Sequence, residues 1–140
     1  MGLLEQLKDH EGFRKYPYED SEGILTIGYG WNLEANGLPK DMCEELLEQK
    51  IHDINVQLKE VEWYNKLSPI RKRVIIDMAY NLGIGGLLEF KKMIQAIKED
   101  DYQTASLEML DSKWARQVHG RADRLARMMK TNEVNNRWNY

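Results

Sequence analysis

"HEGFRKYPYEDSEGILTIGYG", residues 10–30, decides how the chain is read, because its character changes twice within this one stretch. Just ahead of it Leu3, Leu4 and Leu7 recur at helical spacing, and Gly12 supplies the positive-φ residue that stops a short helix near Glu11. From Arg14 to Gly30, β-branched and aromatic residues alternate around glycines on either side of the turn "SEG", which predicts a small β-hairpin or meander. "NGLPKD" then opens a long amphipathic helix, with Pro39 in its first turn and Leu47, Ile51, Ile54, Leu58 and Val61 spaced 4, 3, 4 and 3 apart. At about 20 residues this helix spans some 30 Å. "LSPIRKRVIIDMAYNLGIGG" predicts a second helix with Ser68 as N-cap, Pro69 at its first position, Val74, Ile75, Met78 and Leu82 inside, and a glycine stop. Shorter helical patterns follow near 87–98, 101–110, 112–117 and 119–130.

The fold class is therefore α+β, mostly helical. The expected layout within one domain of residues 1–140 is a β-containing lobe at about 12–38, a connecting helix at about 39–60, and a helical lobe at about 61–130 that the helix at 3–11 joins. Two lobes on one helix imply a cleft, the usual place for a ligand, with the hairpin as one wall.

Composition narrows the function classes. A chain with 42% apolar and 31% charged residues and three prolines is an ordered globular domain. The single cysteine, Cys43, forms no internal disulfide, and the dispersed His10, His52 and His119 give no metal-ligand spacing, so no metal is implied. "MGLLEQLKDHEG" is too short in apolar residues and too early in acids for a signal peptide, and no run of 18 apolar residues exists. Synthesis in the cytoplasm, with any exit assisted, is the expectation. Residues 112–140 carry 7 of the 20 basic and 2 of the 23 acidic groups, so a +5 carboxy-terminal region faces −8 in the remainder. That split favours either an anionic ligand or, more ordinarily, intramolecular pairing.

Glu11, Asp20 and Thr26 each have an ordinary explanation: a solvated glutamate at a helix end, a turn aspartate, and a β-branched residue in a strand. Together they carry chemistry. Glycosidic hydrolysis needs one carboxylic acid to protonate the leaving oxygen and a second carboxylate to activate water or act as nucleophile. A hydroxyl six residues after Asp20, across a hairpin turn, can help hold that water. The spacing E-x8-D-x5-T alone would recur by chance in roughly a few per cent of chains this long.

The E-G pair ending the first helix, the Y-x-D before the turn and the T-I-G-x-G strand together resemble the catalytic segment of the phage-type lysozymes, glycoside hydrolase family 24. "VIIDMAYNLGIGGLLEF" is similar to that family's helix and glycine turn beside the cleft, and "SKWARQVHGRADRL" to its tryptophan-containing and basic helices, with the likeness weakest at about 32–66. The resemblance implies a lysozyme-like two-lobed fold and a cofactor-free endolysin. That enzyme would be a muramidase cutting the β-1,4 bond between N-acetylmuramic acid and N-acetylglucosamine, in that family usually with inversion. By position it implies Glu11 as general acid, Asp20 as the carboxylate that places water, and Thr26 as its partner hydroxyl. Tyr80 and Asn81 fall at an aromatic and an amide of the family's cleft, Glu108 at a sugar-contacting asparagine, and Arg121 at an arginine that reaches Glu11. Asn32, at the strand end, is a further candidate sugar donor.

The resemblance also implies peptidoglycan glycan strands as substrate, a monomer, and a holin that permeabilises the membrane so that the enzyme meets the cell wall. Trp31 is either a packing residue or a sugar platform, and Trp63, Tyr64 and Trp114 read as core. On the last helix, Ala122, Leu125, Ala126 and Met129 form the inner stripe, with Arg121 at its border and Arg127 in solvent. The alternatives are a lytic transglycosylase, a non-catalytic wall-binding protein, and a nucleic-acid binder using the basic last helix. An acidic chain without a recognisable nucleic-acid motif disfavours the last of these, and no nucleic-acid partner is expected.

Overall fold

A computed structural model of the chain describes residues 2–134. The fold is α+β, mostly helical, with one small antiparallel sheet, and its residues cluster into two units, one up to Leu47 and one from Glu48 onward.

The amino-terminal unit starts with α1 (Leu3–Glu11). Gly12, at φ 70° and ψ 153°, turns the chain out of the helix while its N–H still donates to the Lys8 carbonyl at 2.9 Å. A residue with a Cβ adopts that φ only at a cost, so the glycine sets where α1 ends. Strands β1 (Arg14–Glu19), β2 (Leu25–Gly28) and β3 (Trp31–Asn32) form a meander with β2 in the centre. Tyr18 and Asn32 both pair with Thr26, and Trp31 pairs with Ile27. By strand alternation Trp31 therefore lies on the sheet face opposite Thr26 and Asn32. Its indole N–H donates to the Gly37 carbonyl at 2.8 Å, closing the loop that holds α2 (Leu33–Asn36). Trp31 itself stays 40% exposed.

Helix α3 (Lys40–Leu58) follows Pro39, whose carbonyl accepts from the Cys43 N–H at 3.1 Å. Of the expected apolar stripe, Ile54 and Leu58 are buried, whereas Leu47 and Ile51 stay about two-fifths exposed, at 42% and 41%. Val61 lies beyond the helix and caps α4 (Glu62–Asn65), a single turn that carries the buried Trp63 and Tyr64.

In the second unit α5 (Pro69–Leu88) begins as expected, the Ser68 hydroxyl accepting from the Arg71 N–H at 3.2 Å. Gly83, at φ 78°, breaks the helical path, and a last helical stretch then runs to Leu88. Helices α6 (Lys91–Lys98), α7 (Tyr102–Leu110), α8 (Lys113–Val118) and α9 (Gly120–Thr131) complete the bundle. Val74, Ile75 and Met78 of α5 meet Met93 and Ile97 of α6, Met109 of α7, Trp114 of α8 and the Leu125–Met129 stripe of α9 in one core. The carbonyl end of α9 is held by Arg71, which donates to Met129 O at 2.7 Å and Lys130 O at 3.2 Å while stacking on the Tyr102 ring.

Asp101 caps α7, its Oδ2 accepting from the Thr104 hydroxyl at 2.6 Å and its Oδ1 from the Thr104 N–H at 3.0 Å. These two bonds hold its carboxyl below the usual aspartate range. Because the folded value is the lower one, the charged cap contributes fully above the unfolded value and fades as pH falls through the folded one. The difference in thermal midpoint between wild type and Asp101→Asn is expected to be largest near neutrality and to shrink across that acid window, as paired melts at several pH values would read. Among the described residues no helix is long and apolar enough to cross a membrane.

Candidate active site

Glu11 is the last residue of α1, where a carboxylate gains nothing from the helix dipole. Its side chain is exposed and lies across Gly30 at the entry to β3; a Cβ built on Gly30 would stand 2.9 Å from the Glu11 carboxyl carbon. Within the amino-terminal unit, no hydrogen bond or ion pair from the described residues holds this carboxylate. Gly30 leads directly into the strand whose Asn32 pairs with Thr26, so Glu11 and Thr26 both neighbour the β2–β3 segment.

Asp20 directly follows β1, and its Oδ1 accepts from the N–H groups of Glu22 at 2.8 Å and Ile24 at 2.9 Å. Its own backbone closes the same turn, Asp20 N–H to Ile24 O and Gly23 N–H to Asp20 O, each at 2.9 Å. The turn use of this aspartate and a chemical use are thus compatible. One oxygen locks the side chain, while Oδ2 receives no donor from the described residues.

Thr26 sits in the central strand and is 4% exposed. Its hydroxyl donates to the Ile24 carbonyl at 2.8 Å. With the proton committed there, the oxygen is left as an acceptor. Asn32 pairs with Thr26 and caps α2 through Oδ1, which accepts from the Ala35 N–H at 2.9 Å, so its amide NH₂ remains available to donate.

The other residues expected to touch substrate lie in the second unit. Tyr80, on α5, is half exposed. Asn81 Oδ1 accepts from the Trp114 indole N–H at 2.7 Å. Glu108, on α7, lines a cavity of about 600 Å³ together with Phe90, Trp114 and Gln117. The Arg121 guanidinium is engaged by Asp77: Nε and Nη2 donate to its Oδ1 at 2.8 and 2.6 Å, and Nη2 also to its carbonyl at 3.3 Å. Sequence reading missed Asp77, although a lone acid inside the apolar run "VIIDMAY" was the available signal. Among the described residues no three His, Cys, Asp or Glu side chains converge as a metal site.

A helix-end carboxyl, an Asx-locked carboxyl and a central-strand hydroxyl, all in the amino-terminal unit, are the kinds of group that two-carboxylate sugar hydrolysis needs. Residues 8–131 match the phage lysozyme family, and the chain belongs to it. It is a lysozyme-type glycoside hydrolase, with peptidoglycan as the class of substrate. Relatives include the probable T4-type lysozymes 1 and 2 of Dictyostelium discoideum. The first is 28% identical over 95% of this chain and 96% of its own length; the second is 26% identical over 92% and 94%. The pre-baseplate central spike protein Gp5 of Enterobacteria phage T4 is 26% identical over 96% of this chain, a match that occupies 28% of that longer protein.

Proposed function

We propose that the enzyme is a muramidase acting as an endolysin, cleaving the β-1,4 bond between N-acetylmuramic acid and N-acetylglucosamine in glycan strands and so lysing bacteria. Glu11 is the general acid that protonates the leaving oxygen. Asp20 and Thr26 hold the attacking water. The observation that carries this reading is the complementary state of Asp20 and Thr26, both bonded to the Ile24 backbone: one keeps an unclaimed carboxylate oxygen and the other a hydroxyl whose own proton is spent on the Ile24 carbonyl. A water donating one proton to Asp20 Oδ2 and the other to Thr26 Oγ1 turns its lone pair away from both, towards the anomeric carbon. The proton released on attack passes to Asp20.

Asn32, Tyr80, Asn81 and Glu108 are assigned to sugar contact, and Arg121, beyond its pairing with Asp77, to support of Glu11. The enzyme acts as a monomer without a cofactor. It is made in the host bacterial cytoplasm and reaches the cell wall and periplasm once a holin has opened the membrane.

Asp20→Asn is the direct test. The amide oxygen can still accept from Glu22 and Ile24, so the thermal midpoint is expected to stay close to wild type, while release of soluble muropeptides falls by about 10²–10⁴-fold. Mass spectrometry of the wild-type products is expected to show reducing ends opened by water. Anhydro-muropeptides would instead identify a lytic transglycosylase, and a fully active Asp20→Asn would remove Asp20 from the chemistry.

A further inference from the structure

We propose that Gly30 is a positioning residue for the reaction, the floor on which the Glu11 carboxylate is aimed; the inference rests on the reading of Glu11 as general acid. Its basis is a comparison of two glycines either side of Tyr29, Gly28 at the end of β2 and Gly30 just ahead of β3. Gly28 and Gly30 have nearly the same positive φ, +65° and +68°, so both positions favour glycine on conformational grounds. They differ in what a side chain would meet. A Cβ at Gly28 has nothing within 4 Å, whereas a Cβ at Gly30 overlaps Glu11 Oε2 and stands 2.9 Å from its Cδ and 3.5 Å from its Cγ.

The floor itself is fixed. The pairings of Trp31 with Ile27 and of Asn32 with Thr26 hold the residues just after Gly30, and the bond from the Trp31 indole to Gly37 ties down the next loop. The Glu11 side chain, in contrast, has no hydrogen bond or ion pair within its own unit among the described residues. Contact with the bare Cα and peptide of Gly30 is what defines its direction there. A methyl group at this position expels the carboxylate into another rotamer, and the displacement of a catalytic group by an ångström or so costs about 10²-fold in rate.

The experiment compares Gly30→Ala with Gly28→Ala, each with and without Glu11→Ala, by thermal melts and by steady-state hydrolysis of purified peptidoglycan. Both glycine variants are expected to lower the thermal midpoint through the positive φ. Gly30→Ala should lower it further, and that additional loss should vanish when Glu11 is truncated; Gly28→Ala and Glu11→Ala should simply add. In kinetics, kcat of Gly30→Ala is expected to fall about 10²-fold with KM little changed, while Gly28→Ala stays within about threefold of wild type. Equal losses in the two glycine variants, or additivity of Gly30→Ala with Glu11→Ala, overturn the seat. Coupling in the melts with full activity of Gly30→Ala overturns its catalytic use. Full activity of Glu11→Gln would defeat the assignment of Glu11 itself, an outcome the melts distinguish because they do not depend on catalysis.

Discussion

Glu11→Gln is expected to lose about 10²–10⁴-fold in peptidoglycan hydrolysis, the range that a positioned general acid contributes, while its thermal midpoint is unchanged or slightly raised. The two halves of this expectation come from one placement. Glu11 is exposed, closes the carbonyl end of α1, and has no hydrogen bond or ion pair within its unit among the described residues. Replacing a carboxylate at a helix C-terminus by a neutral amide relieves an unfavourable dipole interaction of about 0.3–1 kcal/mol. A residue kept for structure would lose stability when replaced; one kept for proton transfer loses rate and gains a little stability. Release of soluble muropeptides together with a thermal melt reads both quantities, and wild-type rates in Glu11→Gln would remove Glu11 from the mechanism.

The parts of this protein written in local sequence are legible without coordinates, and the residues show why. Ser68 and Pro69 start α5, Gly12 stops α1, and the turn at 21–23 joins two alternating strands, because each depends on groups a few residues apart. The 122–129 stripe is read correctly for the same reason, since helical spacing alone decides which side faces inward. The single-turn helices α2 and α4 escape notice because four residues cannot pay for their own nucleation, so they exist only where the surroundings hold them. In α2 those surroundings are the Asn32 cap and the Trp31 bond to Gly37.

At the candidate site, Glu11, Asp20 and Thr26 are proposed from sequence, yet what disposes them is not legible there. The Asp20 turn shows the limit well. Its spacing suggests an Asx turn, but only the structure shows that one oxygen serves the turn while the other is left over. The approach of Glu11 to Gly30 and the pairing of Arg121 with Asp77 join residues 19 and 44 positions apart, and no periodicity reports such contacts.

Trp114 is where the largest loss of stability is expected. It is 4% exposed, packs edge-on against Phe90 with ring centroids 6.0 Å apart, and donates its indole N–H to Asn81 at 2.7 Å. Trp114→Ala removes a buried ring from the junction of α5 and α8 and is expected to cost about 3–5 kcal/mol, lowering the midpoint by roughly 10 °C or more for a chain of this size. Trp114→Phe separates packing from polarity, because it keeps an aromatic ring against Phe90 and strips the donor from Asn81. Asn81 is exposed, so water can replace that donor, and the expected cost is only about 1 kcal/mol, the low end for a lost hydrogen bond. The two variants also test whether Asn81 is aimed by Trp114. If the amide contacts the glycan, Trp114→Phe raises KM more than its small stability loss explains, since the substrate meets a side chain free to rotate. Equal destabilisation by both substitutions would place the energy in the indole hydrogen bond rather than the ring, and an unchanged KM in Trp114→Phe would leave Asn81 a structural acceptor.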